Sequence, residues 1–242
     1  MMHSPLKFFR SIRNPAGFGR DFLPFARAML LFVLVALAWQ LPFADDIAIT
    51  VSEKVLAGAE KKYGARARKR LVAWTGLIDN NRDKPELQKL KIVNDFFNQI
   101  RYVSDLQHWG VQDYWATPVE SLASNGADCE DFAIAKYFTL VALNVNVDKL
   151  KITYVKATSY NPINQSHMVL TYYASPDAVP LVLDNLIGDI KPATQRRDLT
   201  PVYAFNGQGL WLAKARSLGR VSSGPGNIRP WRELRARMGK EY

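Results

Sequence analysis

The sequence predicts an α+β domain in which a central helix, carrying the only cysteine at its N-terminus, packs on an antiparallel sheet. Apolar residues recur at helical spacing as far as about residue 142. Short β-branched and aromatic segments separated by turns follow from Leu150, an order that places helices against consecutive strands. A hydrophobic fraction of 48% in 242 residues is enough for one core with tails.

The chain opens with Lys7, Arg10, Arg13, Arg20 and Arg27, opposed only by Asp21, and runs directly into the uncharged stretch Ala28–Trp39. A basic stretch before an apolar run this short is the pattern of a secretory signal and is short for a spanning helix. Residues 1–44 are therefore expected to be a signal peptide or, if uncleaved, an N-terminal membrane anchor. Ala36-Leu37-Ala38 has the small-x-small form of a cleavage site but lies inside the apolar run, and Ala44 follows Pro42 and Phe43. The expected location is periplasmic, with membrane association through the N-terminus if cleavage fails.

Residues 45–213 are expected to form the folded domain. Val51–Ile78 reads as helix, with Ser52 as N-cap and a break near Gly64; Arg66, Arg68, Lys69 and Arg70 fit a solvated face. The next helix begins around Asp83-Lys84-Pro85, where Asp83 can cap and proline is tolerated in the first turn. Leu87, Leu90, Val93, Phe97 and Ile100 then mark one apolar face. Residues 101–125 read as an aromatic-rich loop ending at Asn125-Gly126. The central helix starts at Asp128, with Asp131 in the capping-box position and Ala133, Tyr137, Leu140 and Val141 as its buried stripe. Strands are expected at Leu150–Ala157, His167–Tyr173 and Leu181–Asp184, divided by Asn161-Pro162 and Ser175-Pro176-Asp177. Residues 214–242 read as a basic, flexible tail with one short helix near Trp231–Met238.

Charge follows this division. Residues 1–27 carry +4 and residues 214–242 carry +6, which account for the whole net charge of +10 and leave residues 28–213 neutral. A nucleic-acid binder would carry its basic surface on the folded domain, so no nucleic-acid partner is expected.

An exported chain with a single cysteine cannot form an internal disulfide, and an exposed thiol there is a liability unless it has a use. Cys129 sits in the first turn of the central helix, where unpaired N–H groups and the helix dipole favour the nucleophilic thiolate. Its backbone N–H is also placed to serve an oxyanion hole. The bland alternative, a small packed hydrophobe, fits poorly with Asp128, Glu130 and Asp131 beside it. A base is needed, and His108 and His167 remain once His3 is set aside in the signal. A hairpin turning near Pro176-Asp177 would set His167 opposite Leu186 and diagonal to Asp184, within reach of a histidine–carboxylate contact. His108 has no such partner and reads as a packed or surface loop histidine beside Trp109.

The stretches Asn125-Gly126-Ala127-Asp128-Cys129-Glu130-Asp131-Phe132-Ala133, Ser166-His167-Met168-Val169-Leu170 and Leu181-Val182-Leu183-Asp184-Asn185 resemble the bacterial transglutaminase-like cysteine proteinases, in particular those of the LapG type. Asp113-Tyr114-Trp115-Ala116-Thr117-Pro118 is similar as well, and the resemblance covers roughly residues 50–213. It implies a papain-like/transglutaminase-like core and a periplasmic endopeptidase with Cys129, His167 and Asp184 as triad. The implied substrate is the N-terminal region of a large calcium-binding surface adhesin, cut at a paired-alanine site to release it during biofilm dispersal. The resemblance also implies calcium dependence and inhibition by an inner-membrane cyclic-di-GMP receptor.

The acids around Cys129 point to calcium independently. Carboxylates oppose thiolate formation, and a hard cation held by oxygen ligands would offset them. Asp128 and Asp131 are the leading candidate ligands, followed by Glu130 and then Asp113; the alternative is that these acids only favour a helix N-terminus. Two other functions keep the same residues. One is amide transfer or amidase action on cell-wall peptide, because both pass through an acyl-enzyme; the other is a non-catalytic calcium-dependent binding module.

Overall fold

Three helices come first. Ser52 caps α1 (Glu53–Tyr63) by accepting the Val55 N–H, and Gly64, at φ 83°, breaks the chain before α2 (Ala65–Asn81). A left-handed φ is cheap only without a Cβ, so the break falls at glycine. α3 (Glu86–Phe97) starts later than expected. Pro85 is its N-cap, while Asp83 lies in the preceding turn and caps nothing. Leu90, Val93 and Phe97 are buried on its inner face, but Leu87 is 62% exposed, at the lip of an open groove beside Leu181 and Ile190.

The computed structural model describes residues 49–158, 165–214, 217–222, 225, 226 and 228–242. The apolar run and basic stretch behind the signal expectation, and the Asn161-Pro162 turn, lie outside the described residues. No helix among those described is long and apolar enough to cross a membrane.

Residues 101–125 are more ordered than a loop. Arg101–Tyr102 (β1) pairs in parallel with Gly126–Ala127 (β2), and between them lie the short helix α4 (Asp105–His108) and α5 (Pro118–Ser124). Thr117 and Glu120 form a capping box with Pro118 in the first turn of α5, a start signal that short length and flanking aromatics obscure in the sequence. Asn125 closes α5 in the left-handed conformation. At Gly126 a Cβ would stand 2.7 Å from the His108 ring, so glycine lets that ring close over the turn.

The central helix α6 (Cys129–Ala142) is buried along almost its whole length, as an apolar helix enclosed on all sides must be. It lies between α3 and α5 on one side and the sheet on the other. The sheet has seven strands in the order β6-β5-β4-β3-β7-β8-β9, every neighbour antiparallel: β3 (Leu150–Ala157), β4 (Gln165–Tyr172), β5 (Leu181–Leu183), β6 (Lys191–Pro192), β7 (Leu199–Phe205), β8 (Leu210–Lys214) and β9 (Ser217–Ser222). β4 pairs with β5 through Leu170↔Leu183, Thr171↔Val182 and Tyr172↔Leu181, the register the Pro176-Asp177 turn implies. The α+β architecture is as predicted.

The chain beyond residue 213 corrects the expectation of a flexible tail. After β8 and β9 it forms α7 (Arg229–Met238), whose Trp231, Leu234 and Met238 are in the main core. Trp231 stacks on Phe138 of α6 with ring centroids 5.4 Å apart and meets Phe205 edge-on. The compact unit therefore extends to Tyr242. Its basic composition hid this, because the apolar residues occupy only one stripe of a helix whose other faces are arginine-rich.

Candidate active site

β4 and α6 meet at the sulfur. Cys129 opens α6, and in the first turn its thiol donates to Glu130 Oε2 at 3.0 Å. A cavity of about 170 Å³ is lined by Cys129, His167, Ser166, Ala157, Tyr102 and Leu186. Tyr102 reaches it because the β1–β2 pair holds Tyr102 opposite Ala127, two residues before the cysteine. Burial pushes the thiol well above its ordinary pKa, and Glu130 and Asp128 add to the effect. The Met168 backbone N–H acts in the opposite sense and favours the thiolate.

His167 is 5% exposed, and its Nε2 lies 2.9 Å from Asp184 Oδ1. Asp184 follows β5 directly instead of closing it, and the shared register brings it diagonally to His167. With Nε2 committed to the carboxylate, Nδ1 is the ring nitrogen left for proton exchange. Asp184 is 1% exposed. Burial alone would raise its pKa, but the His167 contact, the Leu186 N–H and Arg196 outweigh that and bring it down to about 2. A thiol, an imidazole and an ionised carboxylate so arranged suit general-base activation of sulfur.

The acids assemble into two overlapping groups. Asp105, Asp128 and Asp131 form one, and Asp105, Asp113 and Glu130 the other; within each, one oxygen per residue lies within 4.8 Å of the rest. Asp131 is fully buried, and its Oδ1 accepts the Ala116 N–H at 2.6 Å and its Oδ2 the Asp128 N–H at 3.3 Å. Asp105 accepts the Tyr114 N–H through Oδ2. Its Oδ1 and the Oδ1 of Asp128 are buried without a partner. Burial, followed by neighbouring carboxylates, raises Asp128 and Asp131 well above the carboxylate range and Asp105 up to about 6. Clustered hard oxygen donors that repel one another, two of them buried without a partner, fit a divalent cation such as calcium.

A family model for bacterial transglutaminase-like cysteine proteinases matches residues 74–199, more than half the chain. The chain belongs to that family. Among solved structures of bacterial transglutaminase-like cysteine proteinases, Legionella pneumophila LapG is 43% identical, with a TM-score of 0.67 over 79% of this chain and 99% of that one. An EGTA-treated form of Legionella LapG is 45% identical with the same score and coverage. A calcium-bound form is 45% identical, with a TM-score of 0.65 over 77% of this chain and 98% of that one. A comparison with curated proteins returns no match.

Of the residues singled out in the sequence, Cys129 and His167 share one cavity, Asp184 backs His167, and Asp128, Asp131, Glu130 and Asp113 are all in the acidic groups. Sequence reasoning missed Asp105, which belongs to both groups, and Arg196, which reaches Asp184. Ser104-Asp105 is a helix-start signal that could have drawn attention to the first; no local signal marks the second. His108 bonds Ser124 Oγ at 2.8 Å and packs edge-on against Trp109, away from the sulfur's cavity.

Proposed function

We propose that this protein is a calcium-dependent cysteine endopeptidase with Cys129 as nucleophile, His167 as general base and Asp184 as the residue that orients His167. The observation that carries this reading is the shared cavity of Cys129 and His167 with Asp184 on the far ring nitrogen at 2.9 Å. In the reaction His167 takes the thiol proton and Cys129 attacks the scissile carbonyl. The N–H of Cys129 supports the oxyanion, and the imidazolium, held by Asp184, protonates the leaving amine. Water then hydrolyses the acyl-enzyme with the same base.

Asp105, Asp128, Asp131, Glu130 and Asp113 would hold the calcium ion. The ion would supply positive charge against carboxylates that otherwise disfavour the thiolate. The calcium-bound LapG structure supports this choice of metal.

The substrate we propose is the N-terminal region of a large surface adhesin, cleaved in the periplasm to release it and promote biofilm dispersal, with an inner-membrane cyclic-di-GMP receptor as inhibitory partner. Kinship with LapG-type proteinases supports this. The test is cleavage of a purified adhesin N-terminal fragment from the same genome. Cys129→Ala and His167→Ala are each expected to abolish cleavage while circular dichroism stays unchanged. Cleavage by Cys129→Ala would remove the assignment.

A further inference from the structure

Behind Asp184 lies a second layer of charge. Arg196 is 2% exposed, and its Nη2 donates to Asp184 Oδ2 at 2.7 Å. The same guanidinium forks onto Asp198, through Nε to Oδ1 at 3.0 Å and Nη2 to Oδ2 at 2.8 Å. The backbone around it is pinned. A 3-10 turn over Ala193–Gln195 leads into Arg196, and the Asp198 carbonyl accepts from the N–H of Thr158 at 2.8 Å, next to the end of β3. β3 is the strand beside His167, with Val155 opposite that histidine.

Stability alone does not account for this arrangement. Nη1 of the same guanidinium is buried without a partner, and buried ion pairs commonly lose nothing when apolar residues replace them. It does constrain Asp184 tightly. Oδ1 accepts from His167 at 2.9 Å and from the Leu186 N–H at 3.0 Å, while Oδ2 is held by Arg196, so the plane of the carboxylate cannot turn.

We propose that Arg196 is a positioning residue, which fixes the Asp184 carboxylate, ionised and in one orientation, so that Oδ1 faces His167 Nε2. Arg196 acts only through Asp184 and touches no reacting atom. Arginine suits the task because its planar fork engages two carboxylates at once, whereas lysine can hold Asp184 but not Asp198 in the same geometry. The role in turnover rests on the triad reading above; the His167–Asp184 contact does not.

The test is proton–nitrogen NMR of the histidine rings in the full-length protein, with melting temperature and cleavage of the adhesin fragment measured alongside. A slowly exchanging, downfield ring N–H of His167, assigned by its loss in His167→Gln, is expected to vanish in Arg196→Met and in Asp184→Asn, and to persist in Arg196→Lys. Arg196→Met is expected to lose about tenfold or more in kcat with KM little changed, and to add nothing further once Asp184→Asn is present. A ring N–H that survives in Arg196→Met while only the melting temperature falls would make Arg196 a brace of the fold and overturn the proposal. If Arg196→Met does not fold, Arg196→Gln decides it: an unchanged ring signal and an unchanged kcat there would overturn the proposal too. Loss of the ring signal as expected, together with cleavage by Cys129→Ala, would leave the positioning role standing and sink the protease mechanism.

Discussion

Asp184 accepts from three donors at 1% exposure, so protonating it would leave His167 Nε2, the Leu186 N–H and Arg196 facing a group that can no longer satisfy them all. Its folded-state pKa of about 2 is below the unfolded value. A depressed acid contributes stability that is present above about pH 4 and is lost as pH falls toward 2, because the unfolded chain then binds the extra proton. At neutral pH that contribution is on the order of 2 kcal/mol. Asp184→Asn is therefore expected to unfold at lower denaturant than the wild type at pH 7, with the gap closing as pH falls from about 4 to 2. The same variant should retain residual cleavage, since the imidazole can still sample the productive tautomer. A gap that does not change with pH would mean that Asp184 contributes shape and not charge.

α7 shows what composition conceals. Its arginines turn inward as well as outward. Arg237 Nη2 donates to the Trp115 carbonyl, its Nε pairs with Glu120 at 3.5 Å, and Thr117 donates to Glu241 at 2.8 Å. The helix thus braces the segment that gives the Ala116 N–H to Asp131. Trp231→Ala removes a ring that packs on Phe138, Tyr137 and Phe205, and is expected to cost about 3 kcal/mol in chemical denaturation. Truncation after Leu212 should cost folding itself, where a free tail would be dispensable; an unchanged melting temperature would return residues 213–242 to that status. α1, α2, α6 and the β4–β5 register were legible because their signals are local: a serine cap, a glycine break, a period of 3.6 and a turn centre. β7, β8 and β9 were not: β7 pairs with the distant β3, and β8 and β9 extend the sheet from it, a placement that leaves no periodic trace in the sequence. Cys129 and His167 could be singled out because the chain has one cysteine and three histidines, and Asp184 because a local turn sets it diagonal to His167. Asp105 and Arg196 could not, because aspartate and arginine are common and only the fold brings these two to the site.

The whole chain carries a net charge of +10, yet Asp105, Asp113, Asp128, Glu130 and Asp131 converge on one place. Net charge says nothing about such a local excess, and Asp128 and Asp131 are held where solvent screens them least. A divalent cation would remove the repulsion and tie three stretches of chain together: α4 through Asp105, the following loop through Asp113, and the start of α6 through Asp128, Glu130 and Asp131. That connection extends further. Asp105 holds the Tyr114 N–H, Asp131 holds the Ala116 N–H, and Arg237 and Glu241 bind Trp115 and Thr117 from α7 and the residues after it. Removing calcium is thus expected to loosen residues 105–117 and then 229–242, while the centre of the β3–β4 ladder keeps its protection. If calcium is present at a hundredfold its Kd, its loss withdraws about 2.7 kcal/mol, a fall of roughly 5–10 °C in Tm for a domain of this size. Magnesium should restore little of it, because its tight octahedral demand suits a spread of carboxylates poorly. Asp105→Asn should weaken calcium binding more than Asp113→Asn, since Asp105 belongs to both acidic groups and is buried whereas Asp113 is exposed. Hydrogen exchange and thermal melting in calcium, magnesium and EGTA measure all of this together. Identical exchange at 105–117 with and without EGTA, at an unchanged Tm, would leave the acids as caps of α6 and nothing more.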